Sequence, residues 1–410
     1  MPEARRGLFA RFAAPAAADT PRVYTCGRSS LTIHRGVRHL RLDEADDYHT
    51  GWASGHLLAA SGDAIVRLLR LAPTGWLALL VCRIIRPHLE RVQVPQSARD
   101  EIRGIADATG IALHTLFYVN FVFDVLKRYG FHCSTLIFFQ DDTVLVGRNT
   151  DLLPALAEVA LKLIPPLVVE VSIPGRARFT HVAAPCLVGV INGCNEHGIS
   201  VHSHQIINVA EDPQGPRLAS SLLMRMLLEG AHDLASAAEI ARANPTMRSL
   251  NVVVASVREQ RGMVLEVHPD RVHRAEREGA FACTTHFTSK AMRPLHDGPI
   301  VPSEMRLASL QALITEYPRP DIACMITMLQ DSRNGLQHQL SGCSLSNNGT
   351  FQSFVIDVAR GLIVVSNGRQ RPVSTSGVPV VLQVGGRRTG AQAAPPPDEA
   401  LPEPEAAWVT

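Results

Sequence analysis

The sequence predicts an α+β fold in which antiparallel sheets pack on each other and are covered by helices. Three observations lead there. β-rich runs recur as pairs joined by short turns, and short connections of this kind build antiparallel sheets. Helical runs stand in pairs between these hairpins, a pattern that favours stacked sheets under helical layers over a parallel doubly wound sheet. Finally, 46% of the 410 residues are apolar and only 19% charged, enough to fill a sizeable core.

Residues 1–20 are rich in Ala, Arg and Pro and are predicted to form a loose tail. A second Pro-rich tail is expected over 386–410, where Gly386-Arg-Arg-Thr-Gly is followed by Pro395-Pro-Pro, Pro402 and Pro404. Between them, 21–385 contains no low-complexity linker and no repeat, so it reads as one domain. Ser97, with Asp100 three residues on, opens a capped helix that closes at Thr109-Gly110. The almost wholly apolar stretch from Thr115 to Lys127 is predicted to be a buried helix.

The period then changes. Ser134–Gln140 and Thr143–Asn149 flank Asp141-Asp142 and predict a hairpin with Cys133 at the start of its first strand. Further hairpins are expected from Leu187–Asn192 with Ile199–His204, Leu250–Val257 with Met263–Val267, and Phe351–Val358 with Leu362–Ser366. Helices are expected at Leu218–Glu229, Asp233–Ala243, Ser303–Glu316 and Asp321–Gln330.

Composition excludes several function classes. Forty Lys and Arg nearly balance 38 Asp and Glu with no long run of one sign, so nothing tracks a nucleic-acid backbone. No phosphate-cradling glycine motif or cofactor fingerprint occurs, and no cofactor is expected. The eight cysteines form no CxxC pair, which argues against zinc ribbons and redox motifs and fits a reducing compartment. Arg11 interrupts the apolar stretch near the start, a poor secretory signal, and a cytoplasmic location is expected. Trp76–Ile85 is too short to span a bilayer, and Leu152–Ile173 is broken by Glu158, Lys162, Pro165-Pro166 and Glu170. The latter run reads as a core helix followed by a strand, the alternative being a peripheral lipid-facing surface.

Cys133 is the candidate nucleophile. A buried strand cysteine is the plain alternative. However, the predicted hairpin returns Gly147-Arg148-Asn149-Thr150-Asp151 beside it, bringing a cation that favours thiolate and a carboxylate. His202 and His204, two apart on one strand face, with His197 nearby, raise a competing metal reading, but no well-spaced carboxylate or cysteine beyond Glu196 or Cys194 completes the set.

The segment Cys133-Ser-Thr followed by Gly147-Arg-Asn-Thr-Asp151 resembles the nucleophile region of the N-terminal-nucleophile (Ntn) family that includes acyl-coenzyme A:isopenicillin N acyltransferase, acid ceramidase, N-acylethanolamine acid amidase and bile salt hydrolase. Other landmarks fall in the same order over roughly residues 40–380. Arg103-Gly-Ile-Ala-Asp-Ala-Thr-Gly-Ile111 resembles the helix before the nucleophile, Gly193-Cys-Asn-Glu-His-Gly-Ile199 the family's GMNEKGL stretch, Thr284-Thr-His-Phe287 its TNHF, and Thr350-Phe-Gln-Ser-Phe-Val-Ile-Asp357 its closing hairpin.

That resemblance implies a four-layer αββα sandwich and a precursor that cuts itself between His132 and Cys133, into 1–132 and 133–410, with the two fragments staying associated. The freed α-amine, with an ordinary pKa of about 7.7–8.0, would serve as general base for its own thiol. By the same resemblance Arg148 stabilises thiolate and substrate, Asp151 holds the α-amine, and Asn195 donates to the oxyanion. Thr285 stands where the family carries Asn and puts the second polar contact in doubt, which keeps a weakly active or non-catalytic descendant as an alternative. Arg306 matches a later arginine that braces the site. The implied substrate is a small linear, non-peptide acyl amide, hydrolysed or transferred through a thioester.

Overall fold

The computed structural model describes residues 20–71, 90–125, 132–211, 215–335, 342–366 and 379–384. The expectations for the two tails, for Trp76–Ile85 and for the end of the Thr115–Lys127 helix lie outside these residues.

Two sheets stack face to face. The larger runs β1 (Arg22–Cys26), β2 (Ser29–His34), β3 (Val37–Asp43), β7 (Leu167–Ser172), β8 (Phe179–Ala183), β9 (Asn192–Asn195), β10 (Ile199–Gln205), β12 (Leu250–Ser256), β13 (Arg261–His268) and β14 (Arg271–Arg277). The smaller runs β15 (Phe281–Cys283), β5 (His132–Gln140), β6 (Thr143–Asp151), β16 (Thr350–Asp357), β17 (Leu362–Ser366) and β18 (Pro379–Gln383). All neighbours in both sheets are antiparallel except β3 and β7. A separate parallel ladder joins β4 (Val92–Gln93) to β11 (Arg217–Leu218).

Alternation along each strand divides the core into three slabs. Ile137, Val146, Val168, Val182, Val253 and Phe354 meet between the sheets. On the outer face of the larger sheet, Leu40, Val201 and Val252 pack under α1 (Asp47–Ala60), α3 (Gln96–Thr109), α6 (Ser220–Gly230) and α7 (Leu234–Ala243), with α2 (Ala64–Leu71) and α4 (Leu113–Val125) at the same slab. On the outer face of the smaller sheet, Leu136, Phe138 and Val355 pack under α8 (Val301–Glu316) and α9 (Ile322–Leu329), and α5 (Pro154–Leu163) follows β6. The order helix, sheet, sheet, helix is the four-layer αββα sandwich of the Ntn hydrolases.

α1 and α3 cross closely because both present glycine. A Cβ on Gly51 would lie 1.9 Å from the Glu101 carbonyl oxygen, and one on Gly104 would lie 2.1 Å from that of Tyr48. Gly110 ends α3 in the left-handed region, φ 69°, as its place after Thr109 predicts.

Several local expectations need correction. α3 starts before Ser97, with Pro95 at its N-cap and no side-chain cap, because Pro tolerates the missing donor there. Leu187–Ile191 is not a strand, and β9 begins at Asn192, so the hairpin to β10 is shorter than its apolar run suggests. α4 begins at Leu113, ahead of the expected Thr115; from Thr115 on its described side chains are buried or half-buried, and the carboxamide of Asn120 holds the backbone of Cys186 and Val188. β1–β3 were not anticipated, since Arg22–Asp43 mixes charges into its strands. The Leu152–Ile173 run divides into α5 and β7, with Leu153, Leu156 and Val159 left exposed. No helix among the described residues is long and apolar enough to cross a membrane.

Candidate active site

The β5–β6 hairpin builds the site by register. Its turn places Asp141 at φ 49°, and Thr135 then pairs with Arg148, Cys133 with Thr150 and His132 with Asp151. Cys133 shares a strand face with Thr135 and Ile137, so its side chain enters the slab between the sheets, where β10 of the other sheet faces it.

Arg148, 1% exposed, fills that position. Its Nη2 donates to Cys133 Sγ at 2.9 Å and to the Ser203 carbonyl at 2.7 Å. Nη1 donates to Thr135 Oγ1 at 3.2 Å and lies 3.4 Å from His204 Nε2, and Nε donates to Thr150 Oγ1 at 3.3 Å. The five N–H groups thus meet five acceptors, none of them a carboxylate.

The thiol itself is sealed, at 1% exposure. Burial pushes its pKa up, outweighing the opposing pull of Arg148. Arg148 favours the thiolate as expected, but desolvation of the anion outweighs it while the thiol is sealed.

Asp151 is buried at the end of β6. Thr350 Oγ1 donates to its Oδ1 at 2.6 Å, and its Oδ2 has no hydrogen-bond partner among the described residues. Burial raises its pKa, opposed first by the charge of Arg306 and then by Thr350 and Asn347. His132, whose partner across the ladder is Asp151, is held neutral, its pKa pushed down to about 4 by burial and by Arg306.

Arg306 projects from α8 and is buried rather than an exposed helical arginine. Its Nη2 donates to Thr285 Oγ1 at 3.2 Å and its Nη1 to the Gly342 carbonyl. Burial lowers its pKa, and the strongest opposing influences are Asp151 and then Cys133.

The β15–β5 ladder ends where Cys283 pairs with Thr135, and Thr285 lies two residues beyond that last pair. Thr285 Oγ1 is already engaged, donating to Ser303 Oγ at 3.2 Å while accepting from Arg306. Asn251 secures the segment, its Nδ2 donating to the carbonyls of Thr284 at 3.0 Å and His286 at 2.8 Å. A recess of about 540 Å³ opens beside it, walled by Phe281, Thr284, His286, Leu307 and Ala308.

Asn195 does not join this group. Its Nδ2 donates to the carbonyls of Leu228 at 3.0 Å and Ala231 at 2.7 Å, and its Oδ1 accepts from the backbone N–H of His197 at 3.1 Å and Ile199 at 3.0 Å. It is a saturated turn residue that ties β9–β10 to the end of α6, on the outer face of the sheet, and has no donor left for an oxyanion. The histidine metal reading is also corrected. His204 faces the Arg148 guanidinium, whose charge repels a cation, and His202 Nε2 is 2.6 Å from Ser200 Oγ.

Five of the six expected residues therefore surround one point: Cys133, Arg148 and Asp151 along the hairpin, Thr285 and Arg306 beside it. Thr135, Thr150, Ser203, His204 and Thr350 complete the shell and were missed as site residues. The hairpin register could have found the first two; the others need the packing of one sheet on the other or the pairing of β6 with β16.

The fold and the family match point to an Ntn-type amidohydrolase or acyltransferase. The chain belongs to the family described as acyl-coenzyme A:6-aminopenicillanic acid acyl-transferase, which matches residues 138–371, more than half its length. That stretch contains Arg148, Asp151, Thr285 and Arg306 and begins after Cys133. No curated protein matches the chain significantly. Among solved structures, it is similar to a Caenorhabditis elegans N-acylethanolamine-hydrolyzing acid amidase ortholog (16% identity, 58% of this chain and 98% of that one, TM-score 0.40). It is also similar to a mutant conjugated bile acid hydrolase from Clostridium perfringens (8%, 62% and 92%, 0.40). A third similar structure is penicillin V acylase from Agrobacterium tumefaciens (12%, 62% and 92%, 0.33).

Proposed function

We propose that the chain is a self-processing cysteine amidohydrolase or acyltransferase that acts on a linear, non-peptide acyl amide through a thioester on Cys133. The observation that carries this reading is the buried contact of Arg148 with Cys133, together with Asp151 opposite His132 on the ladder, whose Oδ2 has no hydrogen-bond partner among the described residues. A free α-amine on Cys133 is the donor that would complete it.

In the first stage the Cys133 thiol attacks the His132 carbonyl carbon. The peptide C–N bond breaks as the C–S bond forms and the nitrogen takes the thiol proton, which frees the amine of Cys133; water then hydrolyses the thioester, releasing the His132 carboxylate and restoring the thiol. In the second stage that amine takes the thiol proton, the sulfur attacks the substrate amide, and the protonated amine returns the proton to the leaving nitrogen. Water or an acceptor amine then resolves the thioester. Arg148, whose N–H groups meet no carboxylate among the described residues, supports the anionic sulfur; Asp151 holds the ammonium, and Arg306 braces the site through Thr285 and the charge of Asp151.

Residues 1–132 and 133–410 would stay together after cleavage because β3 and β7 share six parallel register pairs, Arg38–Leu167 through Asp43–Ser172. Arg225 of the second fragment also bonds buried Glu101 of the first.

Intact-mass analysis of the purified chain beside Cys133→Ala tests the reading. Two fragments from the wild type, the larger beginning at Cys133, and one unbroken mutant chain are expected. A wild type that stays whole after folding under reducing conditions would overturn it.

A further inference from the structure

Resting on the reading of Cys133 as nucleophile, we infer that His204 is a positioning residue that aims the Arg148 guanidinium at the sulfur while leaving its charge unspent. His204 reaches the site from β10 of the larger sheet and is fully buried. Its ring joins two parts of the nucleophile's surroundings: Nε2 lies 3.4 Å from Arg148 Nη1, and Nδ1 lies 3.4 Å from the carbonyl oxygen of Cys133 itself.

The partners fix the tautomer. A guanidinium N–H can only donate, so Nε2 accepts; a carbonyl oxygen can only accept, so Nδ1 carries the proton. Burial first, then the charge of Arg148, holds the ring neutral, its pKa well below the ordinary value. His204 thus satisfies one donor of a buried cation without neutralising it. Thr135, Thr150 and the Ser203 carbonyl do the same for three others, and the fifth is left for sulfur. A carboxylate in place of His204 would satisfy the same donor but take the charge, since an ion pair a few ångströms away lowers the field at Sγ. An alkyl side chain would leave Nη1 without an acceptor, and a buried unsatisfied guanidinium N–H shifts to find another. The further charged and titratable groups around the pair are Asp151 from β6, Arg306 from α8, His202 from β10 and His132 at the start of β5.

The test is the pH profile of Cys133 alkylation by iodoacetamide, read by mass on the peptide that carries it. It compares the full chain with His204→Gln, His204→Glu and His204→Leu, with thermal midpoints measured alongside. His204→Gln, which keeps a neutral acceptor, should hold the wild-type midpoint. His204→Glu and His204→Leu should move it upward by about one pH unit or more. If Leu does not fold, the Gln-against-Glu contrast decides. Coincident profiles for Glu and wild type would overturn the inference, as would Gln displaced as far as Glu. Backbone cleavage is followed separately by intact mass: a wild type that stays whole sinks the self-processing reading, while the alkylation profile of the same thiol still decides the role of His204.

Discussion

Arg148 Nη2 stands 2.9 Å from Cys133 Sγ at the end of a guanidinium whose other four N–H groups are held by neutral acceptors from two sheets. The cation is buried and has no carboxylate partner among the described residues, so under the proposed mechanism the negative charge best placed to stabilise it is the one that would develop on sulfur. In the closed chain desolvation still keeps the thiol protonated, which means that access must open before this field can act.

Arg148→Lys keeps the charge but replaces five planar donors with three on a flexible stem, so Thr135, Thr150, His204 and Ser203 cannot all remain satisfied. Turnover should fall on the order of 10²-fold, comparable to the loss of one transition-state donor. Substrate kinetics and cleavage rate check this together. A lysine variant matching the wild type in both would mean that the guanidinium only fills space.

Asp151→Asn tests the role of the unpartnered oxygen. The amide remains nearly isosteric and can still accept from Thr350, but under the proposed self-processing a donor would then face the Cys133 α-amine instead of an anion. The ammonium should lose support and the acid limb of the kcat profile should shift, with kcat reduced about tenfold or more, since general acid–base catalysis contributes at least that much. An unmoved profile on cleaved protein would remove Asp151 from the proton path.

How far the site was legible in sequence follows from where its parts come from. Cys133, Arg148 and Asp151 lie on one hairpin, and a turn at Asp141-Asp142 fixes which of their side chains share a face. His204 and Ser203 reach the site only because β10 lies across the slab, and no local pattern states how one sheet sits on another. Thr350 arrives through the β6–β16 ladder, whose partners are 199 residues apart. Asn195 misled for the opposite reason: its motif is strong, but an asparagine before Glu-His-Gly is equally the residue a tight turn requires. β1–β3 escaped because a strand such as β3, carrying Arg38, His39 and Arg41, lacks a clean apolar alternation.

The relocation of Asn195 has its own consequence. Asn195→Ala leaves the Leu228 and Ala231 carbonyls and the His197 and Ile199 N–H groups without their partner. It should cost about 1–3 kcal/mol of stability and leave the pH profile of Cys133 alkylation where it was. Urea unfolding and alkylation together separate the two roles. Unchanged stability with slowed acyl transfer would restore Asn195 to the oxyanion.

His181 gives a pH dependence whose sign can be worked out. It is buried on the outer face of β8, its Nδ1 has no hydrogen-bond partner among the described residues, and burial together with Arg225 pushes its pKa down to about 3. In the unfolded chain it titrates near the ordinary histidine value of about 6.5. Between those two values the unfolded state binds the proton and the folded state does not, so stability from this group is whole above pH 6.5 and lost progressively as pH falls. Each unit of that fall costs about 1.4 kcal/mol per histidine. His181→Leu, packed against Phe179 in the same apolar slab, cannot bind that proton, so its stability should decline less steeply than the wild type's from pH 6.5 to 4.5. Urea unfolding at several pH values measures the difference, which removes the contributions that other buried groups make equally to both chains. Parallel curves would show that the folded protein takes up the proton at this site after all, through water or through a shift of Arg225 away from the ring.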